Sequence, residues 1–327
     1  MFDFGAFLDS YYAYDFNQPT VDRAYTTQPV KHDTPAINLA HIEMKIQTER
    51  LRSRIALQAG DSVERNAVLE PGSSKYIQES YLGVKLGEKT WVDAGIFLGN
   101  IGAESWISKD NWTYTRALNL DYVPYYSAGI RVEHHINRKQ SFQLQIINGW
   151  QNISENNDSK SIGMQYKHLL SEELTFTYNN FLGDEGVVSD KSRFRTYHNF
   201  ILQWLASEKW QYLYAFDIGE QAQQNNHGID PWFATTLTIR RILNTDQSLA
   251  FRAEYYNDRH QANVVTNTDN GFQVIGGSIN FDQKLKKNAL WRTEVRELYS
   301  EDKIYPHESN EKKRVDGFIV TSISVWF

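Results

Sequence analysis

The sequence lacks cysteine altogether and contains only seven prolines in 327 residues. Without cysteine the chain can form neither a disulfide nor a thiolate metal site. Because proline removes a hydrogen-bond donor from a β-ladder, its scarcity favours long paired strands. Long hydrophobic runs are also missing, since the longest, AGIFLG, covers only 94–99. A membrane helix needs roughly 18 apolar residues, so a helical membrane protein is excluded.

Clusters of positive charge are missing too. The 34 Lys and Arg residues are outnumbered by 40 Asp and Glu residues, and the net charge is −6. With no basic stripe along the chain, nucleic acid is excluded as a partner. The chain opens on MFDFGAFLDSYYAYDF, which already alternates like a strand and is not a charged-then-apolar leader. If the protein is exported, we expect its signal peptide to have been removed.

The final segment, VDGFIVTSISVWF, shows what the sequence does contain. Phe327, Val325 and Ile323 fall on one face of an extended chain, and Ser322 and Ser324 fall on the other. This period of two is typical of a strand whose faces meet different environments. The same alternation recurs along the whole chain and predicts about sixteen strands, whereas helical periodicity is nowhere convincing.

The connections between these strands alternate in length. Short ones fall near 47–50, 87–90, 137–140, 169–172, 206–209, 243–247 and 282–288, and long ones near 17–35, 61–75, 99–124, 151–160, 183–193, 220–231, 258–270 and 300–316. Short turns at one end and long loops at the other are typical of outer-membrane barrels. The sequence therefore predicts an all-β protein in which residues 1–327 form a single domain. This domain is a transmembrane, antiparallel, up-and-down β-barrel with short periplasmic turns and long extracellular loops.

Lipid offers no hydrogen-bond partner to the backbone, so the first strand must pair with the last. The apolar face of the final strand is then expected to meet lipid. Its end, with Phe327, Val325 and Ile323, resembles the terminal assembly signal of bacterial outer-membrane proteins, which would make the barrel-assembly machinery a partner. Aromatic residues make up 14% of the chain and predict two interfacial girdles. The girdle candidates are Trp91, Trp204, Trp210 and Trp326 beside short turns, and Phe181, Tyr255 and Tyr299 beside long loops.

Four segments carry a family resemblance. They are GAFLDSYYAYDFNQP at 5–19, AGIFLGNIGAESWISKDNWTYTRAL at 94–118, IINGWQNISENNDSKSIG at 146–163 and LAFRAEYYND at 249–258. In this order they resemble the OmpL-like beta-barrel porin family. The resemblance implies a porin of the bacterial outer membrane, in contact with outer-membrane lipid and lipopolysaccharide. It does not indicate which solute passes.

The connection at 99–124 is the candidate pore constriction. Loops of this length are usually functional or disordered, and its many aromatic side chains favour order because they need burial. We expect the loop to fold into the lumen, with Glu104 and Asp110 facing arginines of the barrel wall. The predicted constriction residues are Glu104, Asp110, Arg116, Arg52, Arg54 and Arg131.

Other charged residues fall on the inward face of their strands. These lumen charges are Glu79, Asp93, Glu133, Arg252, Glu254, Arg292, Glu294 and Arg296. Opposed acidic and basic clusters would create a transverse field across a narrow pore. Alternatively, Arg252 with Glu254 and Arg292 with Glu294 neutralise one another as cross-strand pairs.

A barrel of about sixteen strands leaves a water-filled interior, so the favoured function is passive diffusion of small hydrophilic solutes through a porin. One alternative is a surface-binding or adhesin barrel plugged by its own loops. Another is a sugar-selective channel that uses inward Phe7, Tyr11 and Tyr256 as a stacking track. The sequence predicts no enzyme, no cofactor and no metal site, and a homotrimer is compatible with it.

Overall fold

A computed structural model describes residues 1–186, 192–223, 228–309 and 311–327, and in it sixteen strands close into one antiparallel barrel. In chain order the strands are β1 (Phe2–Asp15), β2 (Ala36–Gln47), β3 (Leu51–Ala59), β4 (Ile77–Lys85), β5 (Thr90–Leu98), β6 (Tyr126–His135), β7 (Gln140–Ile147), β8 (Ser161–Leu169), β9 (Leu174–Asp184), β10 (Phe194–Trp204), β11 (Trp210–Ala222), β12 (Ile229–Ile242), β13 (Gln247–Asp258), β14 (Phe272–Lys286), β15 (Ala289–Ser300), β16 (Tyr305–Pro306), β17 (Lys312–Lys313) and β18 (Val315–Trp326). The short β16 and β17 pair only with each other, inside the last long loop. The predicted fold of about sixteen strands is confirmed.

Each barrel strand pairs with its neighbour in sequence, apart from the one junction that closes the sheet. At that junction β1 and β18 run antiparallel, from the pair Phe7 and Trp326 to the pair Asp15 and Phe318. The last residue, Phe327, exchanges two backbone hydrogen bonds with Ala6. The sheet therefore leaves no open edge, as lipid requires.

Burial alternates along β18 with the period of two that the sequence showed. Ile319 and Ile323 are exposed, whereas Phe318, Val320 and Ser322 are almost completely buried. The exposed row is the outer surface of the barrel, and the buried row points into the interior. Val325 and Phe327 are also on the outer surface, where Phe327 packs 6.2 Å from Phe4 between ring centroids. The role of this segment in assembly stays a prediction.

The connections are sorted by length between the two ends of the barrel, as the sequence predicted. The long extracellular loops contain the helices α1 (Asp61–Asn66) and α2 (Leu118–Asp121) and two single 3-10 turns, Ser74–Tyr76 and Ser108–Asp110. Among the described residues, no helix has the length and apolar character to span a bilayer.

Three of the aromatic residues assigned to the girdles point inward instead. Trp204 and Trp210 are exposed on the outer surface, but Trp91, Trp326 and Phe181 are inside the barrel. The reason is strand phase: Trp91 lies two residues from the buried Asp93 and shares its inward face. Position near a turn determines where an aromatic residue lies along the barrel axis. It does not determine whether the side chain is on the inner or the outer face of the sheet.

Candidate pore constriction

The loop at 99–124 crosses the interior of the barrel. Near its start, the carbonyl oxygen of Asn100 accepts a hydrogen bond from Gln165 of β8 at 2.9 Å. Near its end, Asn119 of α2 accepts one from Thr236 of β12 at 2.7 Å. Between Asn100 and Asn119, the loop is bound by side chains of β13, β14 and β15, which come after β12 in the sheet.

Arg292 of β15 binds the loop backbone. Its guanidinium donates to the carbonyl oxygen of Ser108 at 2.5 Å and to that of Asn111 at 2.6 Å. The same side chain forms a salt bridge of 2.8 Å with Asp282 of β14. Because carbonyl oxygens carry partial negative charge, they satisfy guanidinium protons that the carboxylate leaves free. The pairing of Arg292 with Glu294 considered above is therefore wrong, since Asp282 takes that place.

Arg252 of β13 and Glu294 of β15 bind the next part of the loop. Arg252 donates to the Thr113 hydroxyl at 2.8 Å and to the Thr115 carbonyl oxygen at 2.7 Å. Glu294 accepts from the Thr115 backbone amide at 2.7 Å and lies 3.1 Å from Arg252. The two wall residues thus pair with each other and also hold Thr115 from both sides.

Glu254 completes this anchor. It accepts a hydrogen bond of 2.7 Å from the backbone amide of Leu118 at the start of α2, and it forms a 2.8 Å salt bridge with Arg296. Arg252 lies 3.4 Å from the same carboxylate. These charged side chains are almost fully buried, so each requires the partners just described to offset its desolvation.

Aromatic residues fill the space between the loop and strands β1 to β6. Trp106 is buried, and its indole nitrogen donates to the Ser62 hydroxyl of α1 at 2.7 Å. Its ring centroid lies 5.0 Å from that of Tyr125 and 6.3 Å from that of Tyr126. Tyr114 is also buried, with its ring centroid 6.4 Å from that of Tyr11 of β1. The aromatic content of the loop is thus accounted for by packing inside the barrel.

The three loop residues predicted to line the constriction have different environments. Glu104 is partly buried, and it accepts a hydrogen bond of 3.0 Å from the backbone amide of Ala117. Desolvation raises the pKa of its carboxyl group. Arg116 is buried, with its guanidinium 4.0 Å from the centroid of the Tyr125 ring. Asp110 is half-exposed and pairs with Lys109 at 2.7 Å.

The wall arginines predicted to face Glu104 and Asp110 are paired elsewhere. Arg52 forms salt bridges with Asp93 at 2.7 Å and Glu133 at 2.9 Å, and Arg131 reaches the same Asp93 at 2.8 Å. Arg54 pairs with Glu43 and Glu79. The expected contact between the loop carboxylates and these arginines is therefore wrong.

Strand register explains this pairing. Arg52, Gly83 and Asp93 lie side by side on β3, β4 and β5 and share the inward face. A side chain at Gly83 would collide with both Arg52 and Asp93, so this glycine leaves the room in which the guanidinium reaches the carboxylate. The network of Glu43, Arg52, Arg54, Glu79, Asp93, Arg131 and Glu133 is called the wall network below.

The loop and its neighbours bury part of the inward face of every barrel strand. Each of the sixteen barrel strands contributes an inward residue that is no more than 4% exposed. These residues are Asp9, His41, Ala56, Glu79, Phe97, Ser127, Gln145, Ser161, Asn179, Asn199, Asp217, Thr236, Glu254, Asn280, Glu294 and Val320. A wide water column along the whole barrel would leave more of these inward faces exposed, so any path past the loop is narrow.

Cavities lie on both sides of the loop. The extracellular cavity has a volume of about 730 Å³ and is lined mainly by the long loops. On the periplasmic side, one cavity of about 240 Å³ borders Arg54 and Ile107, and another of about 180 Å³ borders Arg240 and Arg292. The loop therefore separates an outer vestibule from two inner recesses. Among the described residues, no group of three or more His, Asp or Glu side chains is placed to hold a metal ion.

Solved structures with the same fold are outer-membrane proteins. The anion-selective porin from Comamonas acidovorans has a TM-score of 0.66 and 9% identity, over 100% of this chain and 99% of that one. The trimer form of OmpT from Vibrio cholerae also scores 0.66, with 11% identity over 100% and 99%. OmpF from Salmonella typhi, in complex with daunomycin, scores 0.63, with 12% identity over 100% and 97%. At these identities the likeness shows the fold alone.

No curated protein matches the sequence. The family model described as "Putative beta-barrel porin-2, OmpL-like" matches residues 1–327, which is the whole chain. Membership implies the bacterial outer membrane and points to a channel more than to an enzyme. The closed sixteen-stranded barrel and its inward loop agree with this match. Because the match covers the whole chain, the chain belongs to the OmpL-like beta-barrel porin family.

Proposed function

We propose that this porin passes small hydrophilic solutes by passive diffusion along a narrow path, and that the loop at 99–124 sets its width. The observation that carries the proposal is the pair of cavities above and below the loop, separated by a thin layer of side chains. Tyr126 lines the extracellular cavity and Ile107 lines the 240 Å³ periplasmic cavity. The Trp106 ring centroid lies 6.3 Å from that of Tyr126, and Trp106 precedes Ile107 in sequence, so it lies between residues that line the two cavities.

Trp106→Ala tests this path. The substitution removes the indole that lies between these lining residues, so we expect single-channel conductance in a planar bilayer to rise clearly above that of the wild type. Trp204→Ala is the matched control, because the Trp204 side chain is exposed on the outer surface; its conductance should equal that of the wild type. Identical conductance in all three proteins would assign the path to another part of the lumen.

The wall network supports a proposal about ion selectivity. Asp93 is fully buried and is shared by Arg52 and Arg131, whose side chains remain partly exposed to the lumen. Lys45 pairs with Glu43. Each of the neighbouring cations Lys45, Arg52, Arg54 and Arg131 therefore has a carboxylate partner. We therefore infer that the network keeps the local potential close to neutral, and that Arg52, Arg54 and Arg131 do not by themselves favour anions.

Asp93→Asn tests this inference. The change leaves two guanidinium groups without their shared counter-charge, so the reversal potential in a salt gradient should move toward anion selectivity. The shift should shrink near 1 M salt, where the screening length is about 3 Å. Glu88→Gln, in an exposed periplasmic turn, should leave the reversal potential unchanged. Equal potentials for Asp93→Asn and the wild type would mean that permeating ions do not pass the wall network.

A second candidate function is a surface-binding barrel plugged by its own loops. The set of buried inward residues on all sixteen strands favours it, because a permanently occluded barrel would have this interior. Bilayer recording separates the two functions directly. Steady wild-type conductance supports the porin, whereas absence of conductance in both wild type and Trp106→Ala supports the plugged barrel.

The remaining partners are proposals of the same kind. A homotrimer is proposed by analogy with the trimer form of the Vibrio cholerae protein. Outer-membrane lipid with lipopolysaccharide is proposed to contact the apolar outer surface, and the barrel-assembly machinery is proposed to read Phe327, Val325 and Ile323. Removal of a signal peptide during export is likewise a proposal, as is the absence of enzymatic activity.

A further inference from the structure

The extracellular cavity contains a guanidinium group with an unusual set of partners. Arg195 of β10 lines this cavity and is only 8% exposed. Its nitrogens donate to the side-chain oxygen of Gln221 at 2.8 Å, to that of Asn263 at 3.3 Å and to the Ala262 carbonyl oxygen at 3.2 Å. All three acceptors are neutral.

Two indole rings hold this guanidinium in place. Its central carbon lies 4.8 Å from the ring centroid of Trp150 and 5.2 Å from that of Trp232. Tyr197 packs against both rings, with centroid distances of 5.1 and 6.2 Å. The cation is therefore fixed in one position before any ligand arrives, which lowers the entropic cost of binding.

The charge of Arg195 has no close counter-ion within the part of the chain that the structure describes. No carboxylate oxygen there lies within 4.0 Å of its nitrogens, and the same holds for Arg65, which lines the cavity from α1. Arg65 donates only to the carbonyl oxygen of Arg23, at 2.9 Å. Because a buried charge without an opposite charge is costly, an anion in the cavity would be stabilised.

Two acidic residues of the described chain line the cavity wall, and both are already engaged. Asp121 accepts hydrogen bonds from the Thr27 hydroxyl at 2.5 Å and from the Tyr125 hydroxyl at 2.9 Å. Glu185 accepts a hydrogen bond of 3.0 Å from the backbone amide of Trp150, and burial raises the pKa of its carboxyl group. The contrast with the interior below is clear, since Arg252, Arg292 and Arg296 each have a carboxylate within 3.1 Å.

The rest of the lining suits a polar molecule of moderate size. Amide side chains are provided by Gln151, Asn152, Asn156, Gln221 and Asn263, and aromatic surfaces by Tyr25, Tyr122, Tyr126 and Trp150. Amides exchange hydrogen bonds with hydroxyl groups, and aromatic faces pack against the carbon skeleton of a ring. The volume of about 730 Å³ is within the usual range of about 300–1,000 Å³ for small-molecule sites.

We propose that the extracellular cavity is a binding site for small organic anions that carry a carboxylate or phosphate group on a hydroxylated body, such as sugar acids and sugar phosphates. Arg195 and Arg65 bind the anionic group, and the amide and aromatic side chains contact the body. The inference deepens the proposed function, because it rests on a porin that collects its solutes in this cavity before they reach the loop at 99–124.

Isothermal titration of the purified barrel in detergent micelles tests the site without requiring conduction. The probes are glucuronate and glucose 6-phosphate, with glucose as the neutral counterpart and inorganic phosphate as the anion without a body. We expect both sugar anions to bind at least about tenfold more tightly than glucose, since a tenfold ratio needs only about 1.4 kcal/mol. Both should also bind more tightly than inorganic phosphate, and their affinity should fall as salt is added. Equal affinity for glucose and glucuronate would overturn the proposal.

Two variants locate the site. Arg195→Gln and Arg65→Gln should each weaken glucuronate binding about tenfold or more and leave any weak glucose binding unchanged. Arg138→Gln is the matched control, because Arg138 is exposed in a periplasmic turn at the other end of the barrel. If Arg195→Gln fails to fold, the exposed Arg65 still decides the question. Unchanged glucuronate affinity in Arg65→Gln and in folded Arg195→Gln would overturn the assignment.

The binding test and the conductance test fail independently. A barrel that conducts but binds neither sugar anion keeps the proposed porin function and loses this site. A barrel that binds glucuronate through Arg195 but never conducts keeps the site and becomes a binding protein of the outer membrane.

Discussion

The double variant Arg252→Ala/Arg292→Ala is expected to raise single-channel conductance several-fold. The two guanidinium groups bind Thr115, Ser108 and Asn111 of the loop through its backbone. Removing one member of a buried ion pair costs about 3–5 kcal/mol, because the partner is left uncompensated. The carboxylates of Asp282, Glu254 and Glu294 would then be stabilised by water, and water enters most easily if the loop leaves the wall.

Bilayer recording measures the conductance, and limited proteolysis measures release of the loop. We expect new cleavage at Lys109, inside the segment that the arginines hold. Arg314→Ala is the control, since Arg314 is exposed in the last extracellular loop and contributes nothing to this anchor. A double variant that forms an intact barrel with wild-type conductance and no cleavage would show that the aromatic packing alone fixes the loop.

Ile279→Arg is expected to destabilise the barrel by about 2–4 kcal/mol, the cost of an arginine on the lipid face near the bilayer midplane. Ile279 is the eighth of the fifteen residues of β14 and is 54% exposed on the outer surface. Its neighbours across the strands, Phe251 and Val295, are also exposed and apolar. The measurement is the free energy of unfolding in a denaturant titration of the barrel in lipid vesicles.

Gln143→Arg serves as the matched control for the inner face. Gln143 lies beside Glu133 across the β6–β7 pair, so a new arginine there gains a carboxylate neighbour in a hydrated part of the lumen. Its free energy of unfolding should stay close to the wild-type value. Equal losses for Gln143→Arg and Ile279→Arg would mean that the assignment of inner and outer faces is wrong.

The alternation of side chains along each strand was enough to predict the barrel, because in lipid the period of two decides which residues face which environment. It also placed Arg52, Arg131 and Asp93 on the inward face, where the structure has them. What the period cannot give is register between strands. Whether Arg52 meets Asp93 on the wall or Glu104 on the loop depends on how far β3, β4 and β5 are shifted along one another.

Two further features were not predicted, and only the second of them required tertiary information. Trp326 was assigned to an outer girdle from its height near the periplasmic end, although its phase relative to Ser324 already placed it inside. Arg195 falls on the inward face of its strand by the same alternation. Its lack of a carboxylate partner follows only from the packing of Trp150, Trp232 and Asn263 around it.

The junction between β1 and β18 has a consequence for how the barrel forms. Every other strand pair joins neighbours in sequence, so those ladders can form locally at a small loss of chain entropy. The pair Phe7 and Trp326 joins positions from opposite ends of the chain. Since closure entropy rises by only about 0.6 kcal/mol for each doubling of loop length, this step is thermodynamically cheap. It nevertheless requires all sixteen barrel strands to be held as a curved ribbon, with β1 and β18 as two unpaired edges, until these edges meet. The slow event in folding is therefore expected to be the meeting of those two edges, and a cross-link between β1 and β18 should accelerate refolding far more than one within any hairpin.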